Sequence, residues 1–309
     1  MAFNAEQVRQ RALKMRRDIV DMITEAGSGH PGGSLSATDI MATLYFGEVL
    51  NYDANNLTWQ ERDRFILSKG HAAPVLYAAL AQAGYFDRKE LATLRKFGSR
   101  LQGHPDSRKL PGVEVSTGSL GQGISVATGL AAGLKLAAAN GDSATDVDSS
   151  TDTDPSTGAN SSKIPFVYAL LGDGELQEGQ VWEAAMFAAQ QKLGNLIALI
   201  DNNNLQIDGE LAEVNSPYSI EEKFKAFNWQ VLTCKNGHDV EEIKAVLDEA
   251  RERALKALAQ GEPSSPAPTV IVFNTVKGKG VSFMENKADW HGVAPSKEQK
   301  TQALEELGA

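Results

Sequence analysis

The sequence predicts an α/β fold: an open, mainly parallel sheet with helices on both faces. Two observations carry this reading. Five short apolar runs, "RFILSKGH", "PFVYALLGDG", "NLIALIDNNN", "WQVLTCKNGHD" and "PTVIVFNTVKGKG", lead into loops and then into helical patterns. Continuous apolar runs, as opposed to alternating ones, belong to strands covered on both sides. The chain's 309 residues are also enough for one large domain that buries roughly 75% of its unfolded surface.

In chain order, Asn4 caps an amphipathic helix that runs to about Glu25, with Gln7 three places on and an apolar stripe of Val8, Met15, Ile19, Met22 and Ile23. Glycines and a proline in "AGSGHPGGS" end it, and this break carries His30. "SATDIMATLYFGEVL" resumes a helical pattern behind Ser36 or Thr38 as cap. "STGSLGQGISVATGLAAGLKLAAA" reads as a loop feeding a helix of very small side chains. That suits tight packing, and equally a glycine loop whose amides meet an anion at the helix N-terminus. "EGQVWEAAMFAAQQKLG" is the crossover helix between two parallel strands, and "VEEIKAVLDEARERALKALAQ" is a second covering helix with carboxylates toward its N-terminal end. No internal repeat is visible. A short tail follows from about residue 296, so that residues 1–309 read as a single domain.

Composition excludes several function classes. The net charge of -10 argues against nucleic acid as a partner, since phosphate backbones are met by clustered Lys and Arg. No apolar run approaches the ~18 residues of a membrane span, and the N-terminus lacks the apolar core of a signal peptide, so the expected location is cytoplasmic. Cys234 is the only cysteine, which rules out an internal disulfide or a zinc site of paired thiolates and leaves it a packing role. Asp142, Asp146, Asp148, Asp152 and Asp154 fall in a Ser/Thr-rich segment at about 139–163, read as a flexible acidic loop. It lacks the mid-loop glycine and closing glutamate of an EF-hand.

The stretch from residue 172 to 204 carries the chemistry. It opens with Gly172-Asp173-Gly174 and closes with Asn202-Asn203-Asn204. If both follow parallel strands joined by one crossover helix, they share the carboxyl rim of the sheet, where ligands gather. A carboxylate, an amide oxygen and freed loop carbonyls are ligands for a hard cation. A single carboxylate suits magnesium that also takes phosphate oxygens and water. Gly, Asp and Asn also dominate ordinary turns, and it is their pairing at this spacing that favours a site.

Gly-Asp-Gly followed after nearly thirty residues by paired asparagines resembles the signature of thiamin diphosphate enzymes. "SGHPGGS", "SKGHAAPVLYAAL", "GHPD", "STGSLGQGI", "GDGELQEG" and "WHGVAP" appear in the order of the transketolase family, and the resemblance covers nearly the whole chain apart from the acidic segment. It implies the thiamin diphosphate-binding fold, with thiamin diphosphate and Mg2+ as cofactors and Ca2+ or Mn2+ as substitutes for the metal. Asp173, Asn203 and the backbone carbonyl of Leu205 become the metal ligands, with Gly174 near the diphosphate. Gly118, Leu120 and Gly121 match the loop along the cofactor, and Ile207 an apolar wall near the thiazolium ring. Transketolases often carry proline where Ser119 stands.

The resemblance also implies that His71 contacts the diphosphate, His104 the donor's terminal hydroxyl, and His30 with His291 the hydroxyl deprotonated during carbon–carbon cleavage; His291 also borders the cofactor. Glu178 matches a glutamate at the subunit interface that joins a carboxylate network between active sites. His238 in "NGHD" reads as structural, and Lys277 and Lys279 in "TVKGKG" either help neutralise anions or form a solvated basic turn. In the resembling enzymes a second domain supplies the glutamate that binds the aminopyrimidine ring. The expected protein is therefore the N-terminal subunit of a split transketolase, transferring a two-carbon ketol unit between sugar phosphates. Its expected partner is a separate C-terminal subunit, with two copies of each. The alternatives are a subunit of a thiamin-dependent 2-oxoacid dehydrogenase, which gives no reason for this histidine set, and a noncatalytic regulatory subunit that kept the fold.

Overall fold

The computed structural model describes residues 3–139, 164–260 and 266–309; the acidic Ser/Thr-rich segment lies outside the described residues. Helix α1 (Ala5–Ala26) begins where Asn4 Oδ1 accepts the Gln7 amide at 3.1 Å and ends at Gly27, whose φ of 65° closes the last turn. Then come α2 (Pro31–Ser36), α3 (Thr38–Phe46), β1 (Arg64–Leu67), α4 (Ala73–Ala83), α5 (Gln122–Ala139), β2 (Val167–Gly172), α6 (Gly179–Gln190) and β3 (Leu196–Asn202). A small ribbon of β4 (Leu205–Gln206) and β5 (Gly209–Glu210) leads to α7 (Leu211–Val214) and α8 (Ile220–Ala226). The chain then forms β6 (Gln230–Cys234), α9 (Val240–Gln260), β7 (Thr269–Asn274) and α10 (Lys297–Glu306).

All five expected strands form, in the parallel order β1-β2-β3-β7-β6. Successive side chains point to opposite faces, and here both faces are covered. Tyr168, Leu170, Ile197, Leu199, Ile271 and Phe273 pack into one core with α1, α3, α4 and α9. Val167, Ala169, Leu171, Ala198, Ile200, Val270 and Val272 pack into a second core with α5, α6 and α8. Each buried aliphatic side chain contributes about 1.5–3 kcal/mol relative to exposure, which explains why β2, β3 and β7 are apolar through their middles, at Val167–Leu171, Leu196–Ile200 and Val270–Phe273.

Crossover handedness decides which helix lies where. From β1 through β2 to β3 the chain steps one way across the sheet, by way of α5 and α6; from β6 to β7 it steps back, by way of α9. Right-handed crossovers in opposite directions must use opposite faces, and α5 and α6 do lie on the face opposite α9.

Neither Ser36 nor Thr38 caps α3, contrary to the sequence expectation. Ala37 stands at the cap in helical conformation, Thr38 Oγ1 donates back to the Ser34 carbonyl, and Ser36 sits inside α2 with its hydroxyl turned to the sheet. At the other end of the chain, Ser296 and Gln299 form a capping box on α10, which docks beside α1; there the Arg17 guanidinium donates to the Leu307 carbonyl at 2.6 Å.

The small residues of α5 divide into two kinds. A Cβ on Gly123 would stand 2.6 Å from Ser68 Cα, whereas one on Gly129 would meet nothing within 4 Å. Gly129→Ala is therefore expected to stabilise the chain by about 0.5–1 kcal/mol. Gly123→Ala should destabilise it by about 1–3 kcal/mol through overpacking. Urea unfolding of both variants checks this, and equal effects would refute the distinction.

Candidate active site

The carboxyl ends of β1, β2, β3 and β7 converge on one cavity of about 310 Å³. Its floor is organised by Asp201, near the end of β3 and fully buried. Oδ2 accepts from Lys69 Nζ at 2.5 Å, Ser36 Oγ at 2.5 Å and Asn203 Nδ2 at 3.3 Å, while Thr275 Oγ1 donates to Oδ1. Burial disfavours this charge, but the Lys69 ammonium and the hydroxyl donors more than offset it and hold the carboxyl below its usual range. Lys69 also donates to the Gly33 carbonyl at 3.0 Å and lines the cavity.

Asp173 follows β2. Its carboxylate accepts the backbone amides of Gly174 at 2.8 Å and Asn204 at 2.6 Å, which ties the Gly-Asp-Gly turn to the asparagine loop directly. Burial, followed by the nearby Asp201 charge, raises its pKa to about 7. A carboxylate so disfavoured, with lone pairs left beyond its two amide donors, gains from a cation beside it. Asn203 lines the same cavity, its Oδ1 accepting the Leu205 amide at 3.2 Å. The Leu205 carbonyl accepts Lys277 Nζ at 3.2 Å. Among the described residues no group of three or more His, Cys, Asp and Glu side chains is arranged to hold a metal. The expected ligands are of another kind: one carboxylate, one amide and one carbonyl.

Glu175 stitches the rim loops together. Its Oε1 accepts Ser68 Oγ at 2.5 Å and the Gly121 amide at 2.9 Å, and its Oε2 accepts the Gly172 amide at 3.1 Å. Gly121, at φ +80°, has no room for a side chain, because a Cβ would meet Glu178 Cβ at 2.7 Å. Glu178 itself is exposed, at the start of α6 and on the cavity's edge.

His30, His71 and His291 form a cluster with ring centroids 5.0–5.5 Å apart. Burial, then neighbouring positive charge, keeps them neutral: His30 falls to about 4, His291 to about 3 and His71 well below its usual value. Lys277 Nζ lies 2.9 Å from His291 Nδ1, so the ammonium donates and the ring's own proton sits on Nε2. His30 Nδ1 is buried without a partner among the described residues.

Of the sequence-predicted site residues, His30, His71, Gly118, Leu120, Asp173, Gly174, Glu178, Asn203, Leu205, Ile207 and His291 line the cavity, while Gly121 does not and touches it through its amide's hydrogen bond to Glu175. His104 does not line it but adjoins it, its ring 3.2 Å from where a Gly118 Cβ would stand, with its pKa lowered by burial and by Arg95. Leu120 and Ile207 are largely open to solvent at the mouth. Sequence reasoning missed Lys69, Asp201, Glu175, Ser36 and Thr275. It left Lys277 undecided, and that residue is 1% exposed, with a pKa lowered by burial to about 8. Lys69 had a signal in its place beside His71 in "SKGH"; Asp201 had one in its apolar run, where a lone carboxylate requires a partner.

Residues 8–309 match the model of the transketolase thiamine diphosphate binding domain. The chain is 40% identical to the 6-deoxy-6-sulfo-D-fructose transketolase subunit SqwG of Clostridium sp. (strain MSTE9), across 97% of this chain and 96% of the relative. It is 36% identical to an apulose-4-phosphate transketolase subunit of Phocaeicola vulgatus, across 98% of this chain and 94% of the relative. The solved transketolase from Leishmania mexicana superposes with a TM-score of 0.83 at 32% identity, covering 97% of this chain but only 41% of that one. No described helix is long and apolar enough to cross a membrane.

Neutral histidines give the fold a defined acid response. An unfolded imidazole takes its proton near 6.5, whereas His30 and His291 resist until about 4 and about 3. The unfolded chain therefore binds more protons in that window, and these groups make stability fall as pH drops from about 6.5 toward 4. His291→Gln should reduce the shift in urea midpoint between about pH 7 and pH 5; an unchanged shift would contradict the neutral cluster.

Proposed function

Because this chain belongs to the transketolase family, we propose that it is the cofactor-binding subunit of a split, thiamin diphosphate-dependent transketolase. It works with a separate C-terminal subunit to transfer a two-carbon ketol unit from a ketose phosphate to an aldose phosphate. Near full-length matches to relatives named as subunits support the division into two chains. Those relatives are named for a sulfonated ketose and a branched sugar phosphate, so the donor class extends beyond the pentose phosphates to ketoses with a terminal anion. Two copies of each subunit, working in the cytoplasm, complete the reading.

The observation that carries it is the convergence of Asp173, Asn203 and the Leu205 carbonyl on one cavity with two buried lysines and neutral histidines. The residues fit the cofactor. Asp173, Asn203 and Leu205 O would hold Mg2+, the ion suited to oxygen donors that leave room for phosphate oxygens. Lys69 and Lys277 bring positive charge to a cavity in an otherwise acidic chain, Gly174 and His71 border the diphosphate, and Gly118, Leu120, Gly121 and Ile207 border the rest. When bound, thiamin diphosphate supplies the electron sink for carbon–carbon cleavage. His30 and His291, both lining the cavity, move the proton of a substrate hydroxyl. His104 holds the donor's terminal hydroxyl. Glu178, exposed at the rim, reaches a neighbouring subunit.

With the partner subunit, thiamin diphosphate and Mg2+, the chain should transfer ketol units, while the lone chain should not. Transfer by the lone chain, or decarboxylation of pyruvate in its place, would overturn the split-transketolase reading, and cofactor binding without turnover would indicate a regulatory subunit. Asp173→Ala should weaken Mg2+-dependent cofactor binding by at least about tenfold, the effect of losing about 1.4 kcal/mol. His104→Ala should lower kcat about 10²-fold or more while sparing cofactor affinity. Calorimetric titration and steady-state assay separate the two.

A further inference from the structure

The loop after β7 delivers Lys277 into the cavity, where its ammonium bridges the Leu205 carbonyl and His291 Nδ1. Backbone bonds hold part of this loop, the Gly278 amide donating to the Gly32 carbonyl at 3.1 Å and the Asn286 amide to the Lys277 carbonyl at 3.0 Å; on the side of Val276 and Lys279 it is held by a buried network whose side chains come from three distant parts of the sequence. Asp39, on α3 and 5% exposed, receives the fork of Arg16 from α1 at 2.9 and 2.5 Å, and His238 Nδ1 lies 2.7 Å from its Oδ2. Burial works against the Asp39 charge, and the Arg16 guanidinium with the His238 hydrogen bond overcomes it, so the carboxyl stays below its usual range. Both far ends of the network then grip the lysine loop. The Val276 amide donates to His238 Nε2 at 2.8 Å, and Arg16 Nε donates to the Lys279 carbonyl at 3.1 Å.

These contacts settle the state of the His238 ring. Nε2 accepts a backbone amide and therefore carries no proton; the ring's proton lies on Nδ1, facing the Asp39 carboxylate. Asp39 thus selects the tautomer whose other nitrogen can receive Val276, the residue immediately before Lys277. We propose that His238 is a positioning residue for the cavity: through Val276 it sets the Lys277 ammonium, and so governs affinity for the diphosphate of the cofactor. This rests on reading the cavity as a thiamin diphosphate site, and it gives a role outside the cavity to a histidine that otherwise serves only packing.

Two amides divide the imidazole's functions. The oxygen of glutamine reaches about as far as Nε2 and can accept the Val276 amide; asparagine reaches only about as far as Nδ1, keeping Asp39 and abandoning Val276. In the assembled enzyme, His238→Asn should raise the Kd for thiamin diphosphate about tenfold, the effect of stranding one buried amide. It should leave kcat at saturating cofactor within about twofold, and His238→Gln should restore the affinity. In a Lys277→Met background His238→Asn should cause no further loss of affinity, because its effect runs through that ammonium. Acetic anhydride labelling of Lys277, read by mass spectrometry without cofactor, should rise in His238→Asn and not in His238→Gln. Equal affinities in the two amide variants, a full additive loss in the double variant, or unchanged labelling would overturn the assignment. Failure of the parent complex to bind thiamin diphosphate would instead sink the functional reading, while the labelling still decides whether His238 positions Lys277.

Discussion

The site depends on the burial of the Lys69–Asp201 ion pair at the end of the central strand. Removing two charges from water costs several kcal/mol per ion, and further hydrogen bonds to both partners offset that cost. They draw in Ser36 from α2, Thr275 from the end of β7 and Asn203 from the loop after β3, with Lys69 itself arriving from β1. One carboxylate therefore fixes the mutual register of four chain segments that the sheet's hydrogen bonds alone would leave free beyond the strand ends. Loss of Lys69 would strand the Asp201 charge in the interior, so the pair acts as a geometric constraint more than as a source of stability.

Above that floor the electrostatics are of one kind. Burial neutralises the histidines and pushes Asp173 toward protonation, while Lys69 and Lys277 remain as buried cation-forming groups. The result is a pocket prepared for an anion and a divalent cation together: the cation relieves Asp173, and the anion relieves the lysines. The chain carries a net charge of -10 and the cavity is also lined by Asp173, Glu175, Glu178 and Asp208, so the cationic side of the pocket arises from the local placement of two lysines.

The strands are legible in the sequence because a sheet covered on both faces admits continuous apolar runs, and here each run is short and ends in a loop of Gly, Asn, Asp or Lys. Gly-Asp-Gly and the asparagines are legible as a pair because parallel topology brings strand ends together. Asp201 is signalled only as a lone carboxylate in an apolar run, and its partner Lys69, like the partners Ser68 and Gly121 of Glu175, lies more than fifty residues away in the chain with nothing periodic to announce it. Ser36 misleads for a related reason: a serine before a helix resembles a cap, and only the tertiary fold reveals that its hydroxyl serves Asp201 instead. Lys277, flanked at one side by glycine, looks like part of a solvated turn, and its burial follows from the Asp39 network, which pairs residues from α1, α3 and the loop before α9.

The strand order has a kinetic corollary. Val167 pairs with Leu196 across a single helix, whereas Arg64 pairs with Val167 only after the whole intervening chain has been looped out, and Ile197 must wait for Thr269. Closing a long loop is entropically opposed before its contacts repay it. The β2–α6–β3 unit thus has the smallest closure cost among these pairings, and the edge strand that precedes Lys69 and His71 has the largest. Asp201 meets Lys69 only through that longest closure, so the buried ion pair ties the most distant strand pairing to the most local one.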